Sequence, residues 1–320
     1  MFYRDNWLSW SYSGVENGPK THLLDDFSYN FKKVITRPIK SHHEELLENG
    51  RVIRDTFSGP LDLMFSGGID SEVILRVYHE LKIPINVFIF KYENNYNHRE
   101  FNLACKICEA LNVKYKVIDF NLQKFFENDA YDIWKVAYFE SAPWVVHNKL
   151  TEYLDNTPII GSGEPYCYRG FADKVPEDKF SYEINRDYSV PSKWYFQLNE
   201  APRGWAIYHK TVGRPVITDW HEYSPEIIVS YFQLQRARDL FNDLIPGKVS
   251  NITSKALIHK DYWPDIQIRQ KLTGFEGDLV WNGKESKPNF MIDFEKNYTY
   301  DKVACKVFSY SEEQILDLIL

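Results

Sequence analysis

The chain has 320 residues, is 44% hydrophobic and includes 21 Phe and 22 Tyr, enough to bury the core of one large or two modest domains. A formal charge of −7 argues against a protein built mainly to coat nucleic acid, and no apolar run reaches the roughly 18 residues of a membrane span. The opening Met1-Phe2-Tyr3-Arg4 lacks the apolar centre of a secretory leader, and four cysteines make no disulfide framework, so the expected setting is a reducing cytoplasm without membrane partners.

In chain order, residues 1–58 read as an aromatic, polar arm followed by a helix over His43 to Ile53, with Leu46, Leu47 and Val52 or Ile53 facing inward. From residue 59 to 165 strands and helices alternate. Leu61 to Phe65 reads as the first strand, and a helix follows with Val73, Ile74, Val77 and Leu81 on one side. Ile85 to Phe90 is the second strand, Arg99 to Leu111 the second helix and Lys114 to Phe120 the third strand. A helix beginning near Pro143 precedes a fourth strand, Pro158 to Ile160, which runs into Gly161-Ser162-Gly163-Glu164. Such alternation predicts an α/β fold with right-handed crossovers and a parallel sheet flanked by helices.

Residues 166–320 read as a small antiparallel insertion plus a mostly helical substrate region. Lys193 to Leu198, Gly204 to His209 and Arg214 to Thr218 are expected as short strands. Ser224-Pro225-Glu226 has the cap, first-turn proline and acid of a helix start. Asn251 to His259 and Ile266 to Leu272 are expected as short helices, and a terminal helix is expected from Ser311.

The chemistry concentrates at Ser66-Gly67-Gly68-Ile69-Asp70-Ser71, where a buried strand gives way abruptly to a helix. Adjacent glycines admit backbone angles closed to other residues and let an anion approach the main chain. The free N–H groups and positive dipole end of the following helix then make a phosphate site. Ser66 and Ser71 add hydroxyls, and Asp70 can hold a magnesium ion bridging phosphates. A Walker A loop would need a Lys after its second glycine, and no Gly-x-Gly-x-x-Gly dinucleotide fingerprint occurs. Ligands of open parallel sheets sit beyond the carboxyl ends of the strands. Ser66, Phe90-Lys91-Tyr92, Asp119-Phe120 and Gly161 to Glu164 are therefore expected to line one pocket.

The six residues Ser66 to Ser71 match, at every fixed position, the Ser-Gly-Gly-x-Asp-Ser pattern that follows a strand in the N-type ATP pyrophosphatases. The segment thus resembles the PP-loop of that superfamily, whose fold is of the HUP, adenine nucleotide alpha-hydrolase-like kind. Its members include asparagine synthetase, GMP synthetase, NAD synthetase, argininosuccinate synthetase and the tRNA lysidine and thiolation enzymes. The resemblance implies ATP and magnesium as cofactors, with backbone N–H groups of Gly67, Gly68, Ile69 and Asp70 on the β- and γ-phosphates. The implied reaction adenylylates a carboxylate- or amide-like oxygen of a small acceptor and releases pyrophosphate.

Among these enzymes the chain looks most like the synthetase half of asparagine synthetase. Phe2 stands where a glutaminase would carry Cys, so the amine would come from elsewhere. The Gly161–Gly163–Glu164 turn is similar to that family's Gly-Asp-Gly turn, with Ser162 in place of the Asp, and leaves Glu164 as a magnesium ligand or base. Of the basic residues Lys255, His259, Lys260, Arg269 and Lys271, the resemblance points first to Lys255 and then to Lys271 as neutralising the leaving group. Phe90 and Lys91 fall where this fold usually holds adenine.

Cys105 and Cys108, with Cys167, match thiolation enzymes that carry a cluster, although a helix interior makes the pair small hydrophobes first. The dense aromatics around Tyr131 to Trp144 read mainly as core. The alternatives are a ligase or thiolase acting on tRNA or DNA bases, and a nucleotide-binding module without turnover.

Overall fold

A computed structural model describes residues 35–137, 139, 142–161, 204–205, 208–209, 211–217, 224–237, 254–269 and 288–298, with the backbone of five further strands. Two of those strands, β1 (Leu8–Ser11) and β2 (Asp26–Tyr29), pair antiparallel within the expected arm.

Helix α1 (His42–Thr56) starts where the sequence supplies a capping box: Ser41 accepts from the Glu44 N–H while the Glu44 carboxylate accepts from the Ser41 N–H. Leu46 and Ile53 are fully buried along its inner face. The central unit then runs β3 (Leu61–Met64), α2 (Ile69–Leu81), β4 (Asn86–Tyr92), α3 (His98–Ala110), β5 (Lys116–Phe120), α4 (Leu122–Asn128), α5 (Ala130–Ala137), α6 (Ala142–Thr151) and β6 (Thr157–Ile160). The four strands form one parallel sheet in the order β5-β4-β3-β6. The chain therefore reverses its direction of growth between β3 and β6, the topological switch point of a doubly wound sheet.

Both faces of this sheet are covered, which is why its central strands are apolar at consecutive positions. Leu61, Leu63, Phe65, Val87, Ile89 and Ile159 point into one cluster with α1, α2 and α3. Met64, Phe88, Phe90, Phe120 and Ile160 point into the other, with α4, α5 and α6. The alternation has the period-2 geometry of a strand with two buried sides.

Asp62 breaks the pattern and is fully buried. Its carboxylate accepts from Asn86 Nδ2 at 2.7 Å, from the Asn156 N–H at 2.9 Å and from Asn156 Nδ2 at 3.0 Å, tying β4 and the entry to β6 onto β3. Removing it orphans these donors. Asp62→Ala is accordingly expected to lower urea-measured stability by about 3 kcal/mol. A loss below about 1 kcal/mol would show the three bonds to be dispensable.

Three described elements differ from their sequence expectations. Gly204 to His209 contains helical turn at residues 204–205 and 208–209 rather than strand, because Trp205, Tyr208 and His209 share one buried face at helical spacing. Arg214 to Thr218 does not join an antiparallel insertion: Ile217 bridges Ile159 in parallel, its N–H donating to the Pro158 carbonyl at 2.9 Å. Arg214 sits at the carboxyl end of α6, donating to the Thr151 and Asn156 carbonyls at 2.6 Å each and to that of Leu154. Residues 266–269 of the helix expected over Ile266 to Leu272 are not helical. Ser311 ends a strand, and residues 312–320, where most of the expected terminal helix falls, lie outside the described residues.

That strand, β9 (Val307–Ser311), pairs antiparallel with β8 (Lys193–Asn199), which pairs antiparallel with β7 (Tyr166–Gly170), so an antiparallel element of three strands is present. Helix α7 (Pro225–Phe232) begins after Ser224 with proline in its first turn, as read from the sequence, but the Ser224 hydroxyl donates to the Glu226 carboxylate at 3.2 Å rather than capping the backbone. Helices α8 (Ser254–His259) and α9 (Asn289–Tyr298) follow. Among the described residues no helix is long and apolar enough to cross a membrane.

Candidate functional site

β3 continues one residue past its end, with the Phe65 N–H donating to the Phe88 carbonyl at 2.9 Å, and then turns sharply. Gly67 has φ +78°, and a Cβ built there would lie 2.8 Å from the Glu100 carbonyl oxygen and 2.9 Å from the Ala104 nitrogen, both backbone atoms of α3. The position thus needs glycine for its dihedral and for its clearance. Gly67→Ala is expected to cost about 2–4 kcal/mol of stability through strain and clash together. A urea midpoint equal to wild type would mean that α3 gives way at no cost.

Gly68 serves as the N-cap of α2 and no side chain caps the helix. The first helical bond is donated by the Glu72 N–H to the Gly68 carbonyl at 3.0 Å. The positive end of the helix is therefore not covered by a capping side chain. The two serines fold over this end. Ser71 Oγ donates to the Gly68 carbonyl at 3.0 Å and lies 3.2 Å from Ser66 Oγ, which accepts from the Gly68 N–H at 3.2 Å. Ser66 is exposed, and Asp70 is half-buried at the second helical position.

Gly161, at the end of β6, packs directly on this turn. A Cβ there would stand 2.7 Å from the Ser71 nitrogen and 2.9 Å from the Asp70 carbonyl carbon. The strand end across the switch point therefore reaches the loop, as the strand order predicts. Gly163 and Glu164, and Lys271, lie outside the described residues. Lys255 is on α8, with its side chain also outside them.

At the end of β4, Phe90 is buried and Lys91 exposed. Buried Asn97 donates from Nδ2 to the Phe90 carbonyl at 2.9 Å and accepts from the Tyr92 N–H at 2.8 Å. These backbone groups, expected to read adenine, are already bonded within the protein. Beside them lies a cleft of about 260 Å³ lined by Lys91, Tyr92, Asn95, Asn97, His98, Phe101 and Asn102. Lys91 Nζ sits 5.7 Å from the Phe101 ring centroid, which gives the cleft a cationic, aromatic wall.

Cys105 and Cys108 are on α3. Cys108 is fully buried, and burial pushes its thiol up to about 12, so it is a protonated apolar residue at neutral pH. Among the described residues no group of three or more His, Cys, Asp or Glu is arranged to hold a metal ion. Cys167 is a β7 residue whose side chain is not described.

Among the described residues, Arg269 is a basic residue that reaches the turn. Its Nη2 donates to the Gly67 carbonyl at 2.8 Å and lies 2.7 Å from Glu72 Oε2. Glu72 also pairs with Arg76 at 2.8 Å, and Arg76 grips Asp265 at 2.8 and 2.9 Å. The Arg76 guanidinium holds the Asp265 carboxyl below the usual carboxylate range. In the sequence Arg269 was one of five basic candidates behind Lys255 and Lys271. Of the other two, His259 is buried against Trp263 and Lys260 is exposed. The signal that could have raised Arg269 was Glu72 and Arg76, a charged pair four residues apart among the apolar positions in the middle of the helix.

A parallel sheet whose switch-point strand runs through Ser-Gly-Gly-Ile-Asp-Ser into a helix without a side-chain cap is an α/β unit with the strand–loop–helix arrangement that the PP-loop resemblance implies. Comparison with known proteins points the same way: residues 63–135 match the family described as queuosine biosynthesis protein QueC. Over 63 residues the chain is 35% identical to the 7-cyano-7-deazaguanine synthase of Methanocaldococcus jannaschii, covering 20% of this chain and 27% of that protein. The chain thus aligns with about a quarter of the length of its curated relative.

Solved structures with a similar part include NMN synthetase from Francisella tularensis, at 16% identity and TM-score 0.29, covering 38% of this chain and 53% of that one. NH3-dependent NAD synthetase from Campylobacter jejuni gives 15% identity and TM-score 0.29, covering 38% and 56%. A predicted subunit of tRNA methyltransferase from Methanocaldococcus jannaschii gives 16% and 0.31, covering 67% and 94%. None of these named proteins is an asparagine synthetase, so that closer kinship rests on the sequence resemblance alone.

Proposed function

We propose that this chain is an ATP-using enzyme that adenylylates a carboxylate- or amide-like oxygen on a small acceptor and releases pyrophosphate. The observation that carries the reading is the Ser66–Ser71 turn. It gathers two hydroxyls and an uncapped helix start at the switch point of a parallel sheet, where a triphosphate finds donors and a positive dipole. The cleft beside Lys91 and Phe101 lies at the neighbouring strand end and suits a planar, electron-rich base.

Magnesium usually binds through one or two carboxylates plus substrate phosphates, so an ion arriving with ATP needs little more from the protein than Asp70, with Glu164 as a second ligand. When bound, the ion neutralises phosphate charge. Lys255 and Lys271 are assigned the charge that develops on the leaving pyrophosphate, and Gly161 lets the facing strand end pack against the turn. The chain otherwise supplies position: reacting oxygen and α-phosphorus held in line, with water kept out.

The test is pyrophosphate release from magnesium–ATP by the purified chain, screened against carboxylates and amides with ammonia or other amines. Silence with every acceptor would leave a nucleotide-binding module without turnover. A second reading draws on the match to a queuosine biosynthesis family and a deazaguanine synthase: the acceptor is a purine-like base, free or within tRNA or DNA. The net charge of −7 favours the free heterocycle. A nucleic-acid affinity that falls steeply with salt, together with nucleic-acid-dependent pyrophosphate release, would favour the polymer.

A further inference from the structure

Residues 261–269 bring the chain back against α2, and two of them grip it at matched spacing. Asp265 pairs with Arg76 and Arg269 with Glu72, while Arg269 also donates to the Gly67 carbonyl at 2.8 Å. Glu72 is 1% exposed and the Arg269 side chain 15%, so this is a largely desolvated contact rather than a solvated surface pair.

The bond to Gly67 matters because of what lies on the other side of the same peptide. In a trans peptide the carbonyl and the next N–H point in opposite directions. The Gly67 carbonyl faces Arg269, and the Gly68 N–H faces Ser66 Oγ at 3.2 Å, on the side where the hydroxyls gather. Glycine on both sides of this peptide makes its rotation cheap. Turned over, it would present a carbonyl oxygen where an anion needs a donor.

We propose that Arg269 is a positioning residue of the anion-binding turn, holding the Gly67–Gly68 peptide with its N–H on the side of the Ser66 and Ser71 hydroxyls, where phosphate would bind. The proposal rests on reading the turn as a triphosphate site. It differs from a leaving-group role: Arg269 acts through the main chain and touches no substrate.

The test uses the full chain, with inorganic pyrophosphate and magnesium–ATP as binding probes and thermal unfolding as the structural readout. R269M is expected to weaken pyrophosphate binding at least about tenfold, as loss of a charged hydrogen bond would. R269K keeps one point-charge donor in place of the fork and is expected to lose about threefold. D265N loosens the returning segment without touching Gly67, and should lower the unfolding temperature while leaving affinity within about twofold. R269M binding pyrophosphate as wild type does, or D265N losing as much as R269M, would overturn the positioning role. If R269M does not fold, R269K and D265N decide: equal losses count against the proposal and a larger loss in R269K supports it. Wild-type protein that binds neither probe would overturn the reading of the turn itself.

Discussion

Asp70→Asn is expected to lower magnesium-dependent pyrophosphate release by at least about 100-fold, the scale of losing one preorganised charge-stabilising group. The substitution keeps the shape of the side chain and removes its charge. Asp70 is half-buried at the second position of α2, beside the serines and Gly161, where a carboxylate can meet an ion held by phosphates. Its loss from a helix N-terminus should cost only about 0.3–1 kcal/mol of stability, so the fold survives and the defect is chemical. Raising magnesium should rescue part of the activity if the ion is held more weakly. Wild-type turnover in this variant would remove Asp70 from metal binding.

Stability should fall steeply as pH drops below about 6.5, the ordinary pKa of an exposed imidazole. Three histidines are held neutral by burial. His42 is buried where α1 meets α7 and α8, 3.1 Å from Ser230 Oγ and facing His259 at 6.2 Å; burial and then the neighbouring imidazoles hold it well below the ordinary value. His147 and His209 both stack on Trp205, at 6.1 and 6.4 Å; burial lowers them to about 4 and about 3.

A histidine with a depressed pKa leaves the folded state with fewer protons than the unfolded chain below the unfolded pKa. Its contribution is therefore complete above about pH 6.5 and is lost as pH falls towards the folded value. Each such group lowers stability by up to about 1.4 kcal/mol per pH unit, so three together approach about 4 kcal/mol per unit. That is comparable with the whole stability of a marginal domain within two units. Urea unfolding between pH 7.5 and 5 measures the slope. His147→Phe, which keeps the ring stack and removes the titration, should cut it by about a third. An unchanged slope would show that His147 takes up its proton as readily in the folded protein as in the unfolded chain. Carboxylates held low, such as Asp265 beside Arg76, act in a separate window, through the pH range below their ordinary value.

The readings that held were those carried by local chemistry. A Ser-Gly-Gly-x-Asp-Ser turn between an apolar strand and a helical pattern is a short-range statement, because the dihedral of Gly67 and the start of α2 are decided by adjacent residues. The parallel sheet likewise follows from strand–helix alternation and the handedness of crossovers. Ser224-Pro225-Glu226 opened its helix for the same reason. Gly204 to His209 was also legible in principle, since Trp205, Tyr208 and His209 fall three and four residues apart; the glycine and proline turns around them drew the reading towards strands instead.

What remained hidden depends on contacts across long stretches of chain. Asp62 looks like a misplaced charge in an apolar strand until Asn86 and Asn156 are brought to it. Residues 266–269 carry apolar spacing suited to a helix, yet Asp265 and Arg269 are drawn out along α2 by Arg76, Glu72 and the Gly67 carbonyl. By itself, then, the sequence determined the Ser66–Ser71 turn and the type of sheet that presents it, because both are written in neighbouring residues. Only the tertiary structure decided which basic residue meets that turn, because two residues about 200 apart are made neighbours by the folded chain alone.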